Sequence, residues 1–413
     1  MSSDQLVQKA LEDGSYYSNP YPLFDILRSQ DPVLYSEALG GWVLTKYVDI
    51  DYVLKESEIF SSKGRVLHLI EKLDPEIKRQ LTLLQSHFAT GLAHSDAPEH
   101  RRLRGLLARA FTPKMIENAR PMIAATVKSQ IDPLGSRFDL IADVFTPIPA
   151  LVVGKILGSQ ESDIPDLIRW AHAINGLYEK GGHIDPRKAL HAEAMLEEIR
   201  GFVQRLVAAR RDLRENGQLN PDSDILAALV SAEQEAGALS EAELVSTVVT
   251  LFVAGHETTT HLLGNGFYAL LSNAEELEKV RRNPSLIPSV VEEMARFDGS
   301  VPRSWRITKE SIEIRGVAIP ERSLVLPILA AANRDPEIFV DPHRFDSTRD
   351  SRKHLAYGKG VHVCLGAPLA RIEAQEVLKY LFLHRPKLRL TSENLEWRKD
   401  VALRGLISLP VES

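Results

Sequence analysis

The sequence predicts a mainly α protein with a smaller β-rich lobe (α+β), folded as a single domain over residues 1–413. Three observations predict it. One apolar helical pattern, starting at Ser240, is far longer than the rest. Strand-like runs are few and sit near the two ends of the chain. No repeat, low-complexity run or Gly/Ser linker divides the sequence. At ~150 residues per domain the length alone would give about 2.8 domains, but nothing supports a cut.

The long helix is read from its cap outward. Ser240-Glu241-Ala242-Glu243 is a capping box, in which the serine hydroxyl takes one backbone N–H and Glu243 reaches back to another. Leu244, Val248, Leu251, Phe252 and Gly255 follow at helical spacing, and Leu262, Leu263, Leu270 and Leu271 continue it. About 30 residues at ~1.5 Å each span ~45 Å, a length that fits only through the middle of a domain. Strands are expected at Val33 to Tyr35 and Trp42 to Thr45, forming a hairpin about Gly40-Gly41. Others are expected at Ile312 to Ile314, Ser323 to Leu326, Leu388 to Leu390 and Ile407 to Val411.

A chain of 413 residues with 44% hydrophobic and 26% charged residues is neither disordered nor collagen-like. Its net charge of -6 excludes a chain-wide basic surface for nucleic acid. The single cysteine, Cys364, excludes an intramolecular disulfide and a zinc ribbon, and points to a reducing compartment. The opening MSSDQLVQKALEDG has no basic segment followed by an apolar one. The greasiest stretch, Leu244 to Gly255, contains Ser246, Thr247 and Thr250 and falls short of the ~20 residues of a membrane span. A cytoplasmic protein without a membrane anchor is expected.

The surroundings of Cys364 carry the chemistry. Tyr357-Gly358-Lys359-Gly360-Val361-His362-Val363-Cys364-Leu365-Gly366 is a glycine-shaped loop, and Pro368 to Ala374 is a good helix after it. Gly366 lets something flat approach the backbone. At a helix N-terminus the dipole and free N–H groups favour a thiolate, which suits a soft or redox-active metal. A lone cysteine is also commonly a small buried apolar residue, and a nearby histidine suits a cysteine nucleophile. The ordered glycines and His362 decide among these, because the loop resembles the heme-ligand loop of the cytochrome P450 superfamily, Phe-Gly-x-Gly-x-His-x-Cys-x-Gly. Only the first fixed position departs, with Tyr357 for Phe, a swap that adds one hydroxyl.

Further segments resemble the same family in the same order. Ala254-Gly255-His256-Glu257-Thr258-Thr259 interrupts the apolar helix with small residues, an acid and two hydroxyls. Such hydroxyls bond to carbonyls one turn back, and the missing bulk at Gly255 leaves a groove suited to proton delivery. Glu293-Met294-Ala295-Arg296 places an acid and a guanidinium on one helix face. In the family this pair is buried with a third partner, here expected to be Arg344, with Arg349 the rival. Asp96 is expected to cap the helix that carries His100 and Arg104 four residues apart. In the family that face grips heme propionates with charge-assisted bonds, and Arg306 and His362 resemble the remaining partners.

The resemblance covers roughly residues 17 to 411 and implies the cytochrome P450 fold, with heme b between the long helix and the Cys364 helix. It implies that Cys364 is the iron's axial ligand and that Ala254, Gly255 and Gly366 lie against the macrocycle. Glu257 and Thr258 would be the acid and alcohol that manage protons. The reaction implied is insertion of one oxygen atom from O2 into a hydrophobic small molecule. Its two electrons would come from a separate ferredoxin or flavodoxin with an NAD(P)H-dependent reductase, because no flavin or iron–sulfur motif is present. Basic residues such as Lys359, Arg101, Arg102 and Arg109 could steer that acidic partner or serve solubility. Val249, Phe252, Val301, Trp305 and Leu406 are expected to line the substrate pocket. The competing readings are a peroxide-driven peroxygenase or ring-coupling enzyme, a non-enzymatic heme-thiolate sensor, and a cysteine-nucleophile enzyme without heme.

Overall fold

A computed structural model describes residues 1–177, 183–221, 223–232, 239–392 and 394–413. Seven helices frame the site: α1 (Glu99–Ala110), α2 (Pro147–Leu157), α3 (Ile164–Asn175), α4 (Pro186–Glu215), α5 (Glu241–Leu271), α6 (Ile287–Asp298) and α7 (Ala367–His384). The central one, α5, runs 31 residues from the expected capping box, with Ser240 and Glu243 each bonded to the other's backbone. It packs against α2, α3 and α6 and touches α7. Two glycines set how closely. A Cβ on Gly266 would stand 2.1 Å from Met294 Cε on α6, and one on Gly255 would stand 2.7 Å from Val153 Cγ2 on α2. Gly255 therefore serves close helix packing as well as an open face.

The β lobe holds β1 (Val33–Ser36), β2 (Gly41–Leu44), β3 (Phe60–Ser61), β4 (Arg137–Asp139), β5 (Arg306–Thr308), β6 (Ile312–Ile314), β7 (Val317–Ile319), β8 (Leu324–Pro327), β9 (Arg389–Leu390) and β10 (Pro410–Glu412). A five-stranded sheet has the order β1-β2-β8-β5-β3. The β1–β2 hairpin is antiparallel, with Val33 opposite Leu44, and turns at Gly40 with φ 71°, a value glycine adopts without a Cβ penalty. β2 pairs parallel with β8, and β8 pairs antiparallel with β5, the strand bearing Arg306. The strands at β3, β4, β5 and β7 were not expected. Each is two or three residues long, too short for alternation to be read locally.

Two apolar cores result. The larger fills the helical lobe, and a smaller one around Leu44, Ile50, Phe60 and Val325 supports the sheet. Among the described residues, Leu140–Leu157 is the one segment long and apolar enough to cross a membrane, and 72% of it is buried inside the fold as a core helix. Asp96 does not cap α1, which begins after Pro98 without a side-chain cap. Its carboxylate is taken instead by Ser62 N at 2.9 Å and by the Ser61 hydroxyl, tying α1 to β3.

Candidate active site

A cavity of about 370 Å³ lies between α5 and the loop that enters α7. Gly358 and Gly360 in that loop have φ of 68° and 70°, and a Cβ on Gly360 would sit 2.4 Å from the Leu54 carbonyl. The Cys364 N–H donates to the Tyr357 carbonyl at 2.9 Å, closing the loop. Gly366 caps α7 and has open space where a Cβ would project. Cys364 faces the cavity. Burial pushes its thiol up, opposed by the N–H groups of Gly366 and Ala367 and by the Arg104 and Arg371 charges. A metal would deprotonate it outright. The Tyr357 hydroxyl, the one departure in the loop, is buried without a hydrogen-bond partner among the described residues, while its ring lies 4.4 Å beneath the Arg371 guanidinium.

The opposite wall is α5. Leu251, Ala254, Gly255, Thr258 and Leu262 recur every three or four residues and line the cavity. The Thr258 hydroxyl donates to the Ala254 carbonyl at 2.5 Å. Glu257 is one residue back and does not line the cavity. Its carboxylate is 2% exposed, accepts from Asn175 Nδ2 at 2.6 Å and stands 3.0 Å from His172 Nε2 on α3. Burial raises its pKa, but the His172 bond and charge, with Arg398 and His261, bring it to about 2. His256, whose role the sequence leaves open, is fully buried between α3 and α5, its ring 6.0 Å from that of His172.

One edge of the cavity is crowded with arginine and histidine side chains. His100 and Arg104 from α1, Arg306 from β5 and His362 from the loop all line it. The rings of His100 and His362 are 4.1 Å apart, and the Nε2 atoms of both are buried without a hydrogen-bond partner among the described residues. Burial and the nearby Arg306 lower His362 to about 2, and burial with Arg65 lowers Arg306 to about 9. Arg65, which no sequence motif flagged, joins this edge and donates to the Ala93 carbonyl at 2.8 Å. Burial raises the pKa of Glu373, the one carboxyl lining the cavity, well above the ordinary carboxyl value. A soft sulfur on one wall, a glycine-thin face beside it and orphaned donors at one edge fit a flat metal macrocycle that carries its own carboxylates.

Four of the five expected substrate-pocket residues do not reach this cavity, and Val301 alone does. Val249 and Phe252 lie on the α5 face that meets Trp170 and Phe202 of α3 and α4. At ~100° per residue that face points away from Ala254 and Thr258. Ser304 and Arg306 line the cavity, so alternation sends Trp305 to the other side, where it stacks under Arg303 at 5.1 Å. Leu406 is 1% exposed in the core and bridges Trp397. Leu92, Ala93 and Ser300 contribute instead.

The third partner of the buried pair is also corrected. Arg349 Nε is 3.2 Å from Glu293 Oε1, whereas the Arg344 side chain is 57% exposed and nears Glu276 at 3.9 Å. Arg344 contributes its carbonyl, which accepts from both Arg296 and Arg349 at 3.2 Å. Glu293 and Arg296 themselves are buried and doubly bonded, each contact 2.7 Å. Of the basic residues proposed to face an acidic partner, Lys359 is paired with Asp51 at 2.6 Å and Arg102 with Glu243.

The comparisons with known proteins agree with this geometry. The cytochrome P450 family model matches residues 68–390. The chain is 34% identical to the 6-deoxyerythronolide B hydroxylase of Saccharopolyspora erythraea, over 97% of this chain and 98% of that one. It is also 34% identical to the cytochrome P450 monooxygenase PikC of Streptomyces venezuelae, over 96% and 91%. Among solved structures, P450BioI in complex with a hexadec-9Z-enoic acid ligated acyl carrier protein superposes with TM-score 0.87 at 31% identity, covering 97% of this chain and 100% of that one. The chain belongs to the cytochrome P450 family. It is a heme-dependent monooxygenase of the bacterial type, using O2, a redox partner and a small-molecule substrate.

Proposed function

We propose that Cys364 is the axial thiolate of the heme and that His100, Arg104, Arg306 and His362 hold its propionates. Ala254 and Gly255 would lie over one face of the macrocycle and Gly366 under the other. The single observation that carries this reading is that one cavity is lined by the only cysteine, by the Thr258 hydroxyl and by five convergent arginine or histidine groups against a single carboxyl, Glu373. Heme bound there supplies dioxygen activation and transfer of one oxygen atom to a C–H bond or an alkene. The chain's own residues exclude water, position the substrate and manage protons. The Thr258 hydroxyl, turned to Ala254, is the proton-bearing group inside the cavity, and Glu257 behind it is the reserve acid. Glu293, Arg296 and Arg349 hold the segment that precedes the cysteine loop.

The substrate is a mid-sized hydrophobic molecule of secondary metabolism, because the cavity wall opposite Cys364 is mostly apolar. Electrons come from a separate ferredoxin or flavodoxin with its NAD(P)H-dependent reductase. The enzyme works as one cytoplasmic domain over residues 1–413. Binding of carbon monoxide to the reduced protein tests the assignment. Wild type should give a thiolate-type spectrum and Cys364→His should lose it; an unchanged spectrum removes the axial role. A screen of apolar compounds read from the heme's spin-state absorbance then narrows the substrate.

A further inference from the structure

Glu257 has the Cys364 cavity on one side and open water close by on the other. A surface groove of about 520 Å³ is lined by His172, Arg169, Lys188 and His191. The His172 side chain is 49% exposed, yet its Nε2 stands 3.0 Å from Glu257 Oε1. Asn175, three residues on and on the same face of α3, donates to the other carboxylate oxygen at 2.6 Å. The buried acid is thus one side chain from solvent in one direction and one residue from Thr258 in the other.

The other groups that face Glu257 cannot do what His172 does. His261 on the same helix is 3% exposed and His256 is 0% exposed, and neither has a hydrogen-bond partner for either ring nitrogen among the described residues. Burial lowers both to about 4, so both are neutral near pH 7. Arg398, from the C-terminal segment, is a permanent cation. Asp400 beside it is buried and raised in pKa. Among the described residues, only His172 both contacts Glu257 and lines the groove.

We propose that His172 is the residue through which protons enter the active site, handing them to Glu257 from the groove between α3 and α4. This inference rests on the acid and alcohol roles of Glu257 and Thr258 proposed above. The imidazolium gives its Nε2 proton to Glu257 Oε1 and is left neutral with its remaining proton on Nδ1. The carboxyl, now uncharged and no longer drawn to a cation, turns toward the cavity. There it protonates the Thr258 hydroxyl oxygen, which releases its own proton into the cavity. The carboxylate swings back, and Nε2, open to groove water in the interval, takes the next proton. One proton crosses per cycle and no electron moves. His172 acts through Glu257 and is a positioning and relay residue.

NADPH oxidation in air through a surrogate ferredoxin and its reductase tests it. The wild-type rate should fall as pH rises. His172→Gln should be slower by about tenfold or more, lose that dependence and show a larger solvent deuterium isotope effect. His172→Arg, which keeps the charge but holds its proton, should be slow as well. If His172→Arg kept the wild-type rate and profile, charge alone would suffice and the relay would be wrong. Thr258→Ala separates the two readings. A Thr258→Ala that diverts its NADPH electrons to hydrogen peroxide, beside a normal His172→Gln, removes only the entry through His172, whereas a Thr258→Ala that releases no more hydrogen peroxide per NADPH than wild type removes the underlying acid–alcohol relay.

Discussion

Glu293 on α6 and Glu257 on α5 are both buried carboxylates, and their surroundings differ in kind. Glu293 takes two bonds from Arg296 at 2.7 Å, one from Arg349 at 3.2 Å, one from the Asp346 N–H at 2.9 Å and one from the Ser351 hydroxyl at 2.6 Å. Arg296 is equally saturated, giving its remaining hydrogens to the carbonyls of Asn333, Pro342 and Arg344. Glu257 is contacted directly by an amide and a half-exposed imidazole. A buried charge whose every lone pair meets a fixed donor cannot move without large cost. One held by a single hydrogen bond and a 3.0 Å contact to a titratable ring can be released. The first arrangement fastens the fold beneath the cysteine loop, and the second fits a group that must move.

The sharpest way to break this comparison is to remove one partner from each pair. Arg296→Ala leaves Glu293 buried and uncompensated, and should cost about 3–5 kcal/mol, seen as a loss of heme loading and a steep fall in Tm. Asn175→Ala at the other site removes one neutral donor from a charge and should cost less, about 1–3 kcal/mol. Thr258→Ala should keep the fold and its carbon monoxide spectrum, while product formed per electron consumed falls by about tenfold or more. Coupling equal to wild type would contradict the role of the alcohol.

Acid should find the Glu257 side first. His256 and His261 flank it, and burial holds each at about 4, below the ordinary histidine value of 6.5. A depressed folded value means that the unfolded chain binds protons first as pH falls. Stability is therefore full above pH 6.5 and is lost as the pH drops toward 4, by about 2 kcal/mol per histidine at pH 5. Thermal unfolding followed from pH 7 to 5 should show this decline, and replacing His261 with a neutral residue of similar size should lessen it. The smallest effect separates two arginines. Arg349→Ala should cost about 1–3 kcal/mol through its charged bond to Glu293, whereas the exposed Arg344 should cost less than about 0.5 kcal/mol. The reverse order would restore Arg344 as the third partner.

The cysteine loop was legible because its determinants are local. Glycines at 358, 360 and 366 and the residues His362 and Cys364 act within one turn of chain, and the structure puts all of them where that spacing implies. The capping box of α5 was legible for the same reason. Arg344 was preferred over Arg349 because both lie on one irregular segment, where no periodicity says which side chain turns inward. Arg65 carried no signal at all, since its neighbour Trp305 is 240 residues away.

By itself the sequence determined which residues are chemically able to act: a lone thiol on a helix N-terminus, an acid and alcohol in an apolar helix, and a buried acid–arginine pair. Tertiary structure alone decided which way they face. The turn of α5 that presents Thr258 to the cavity presents Val249 and Phe252 to α3 and α4, and hands Glu257 to His172 and Asn175. A helical period fixes which residues share a face, but which face meets the cavity depends on the helices packed around it, and those contacts join segments that are far apart in the chain.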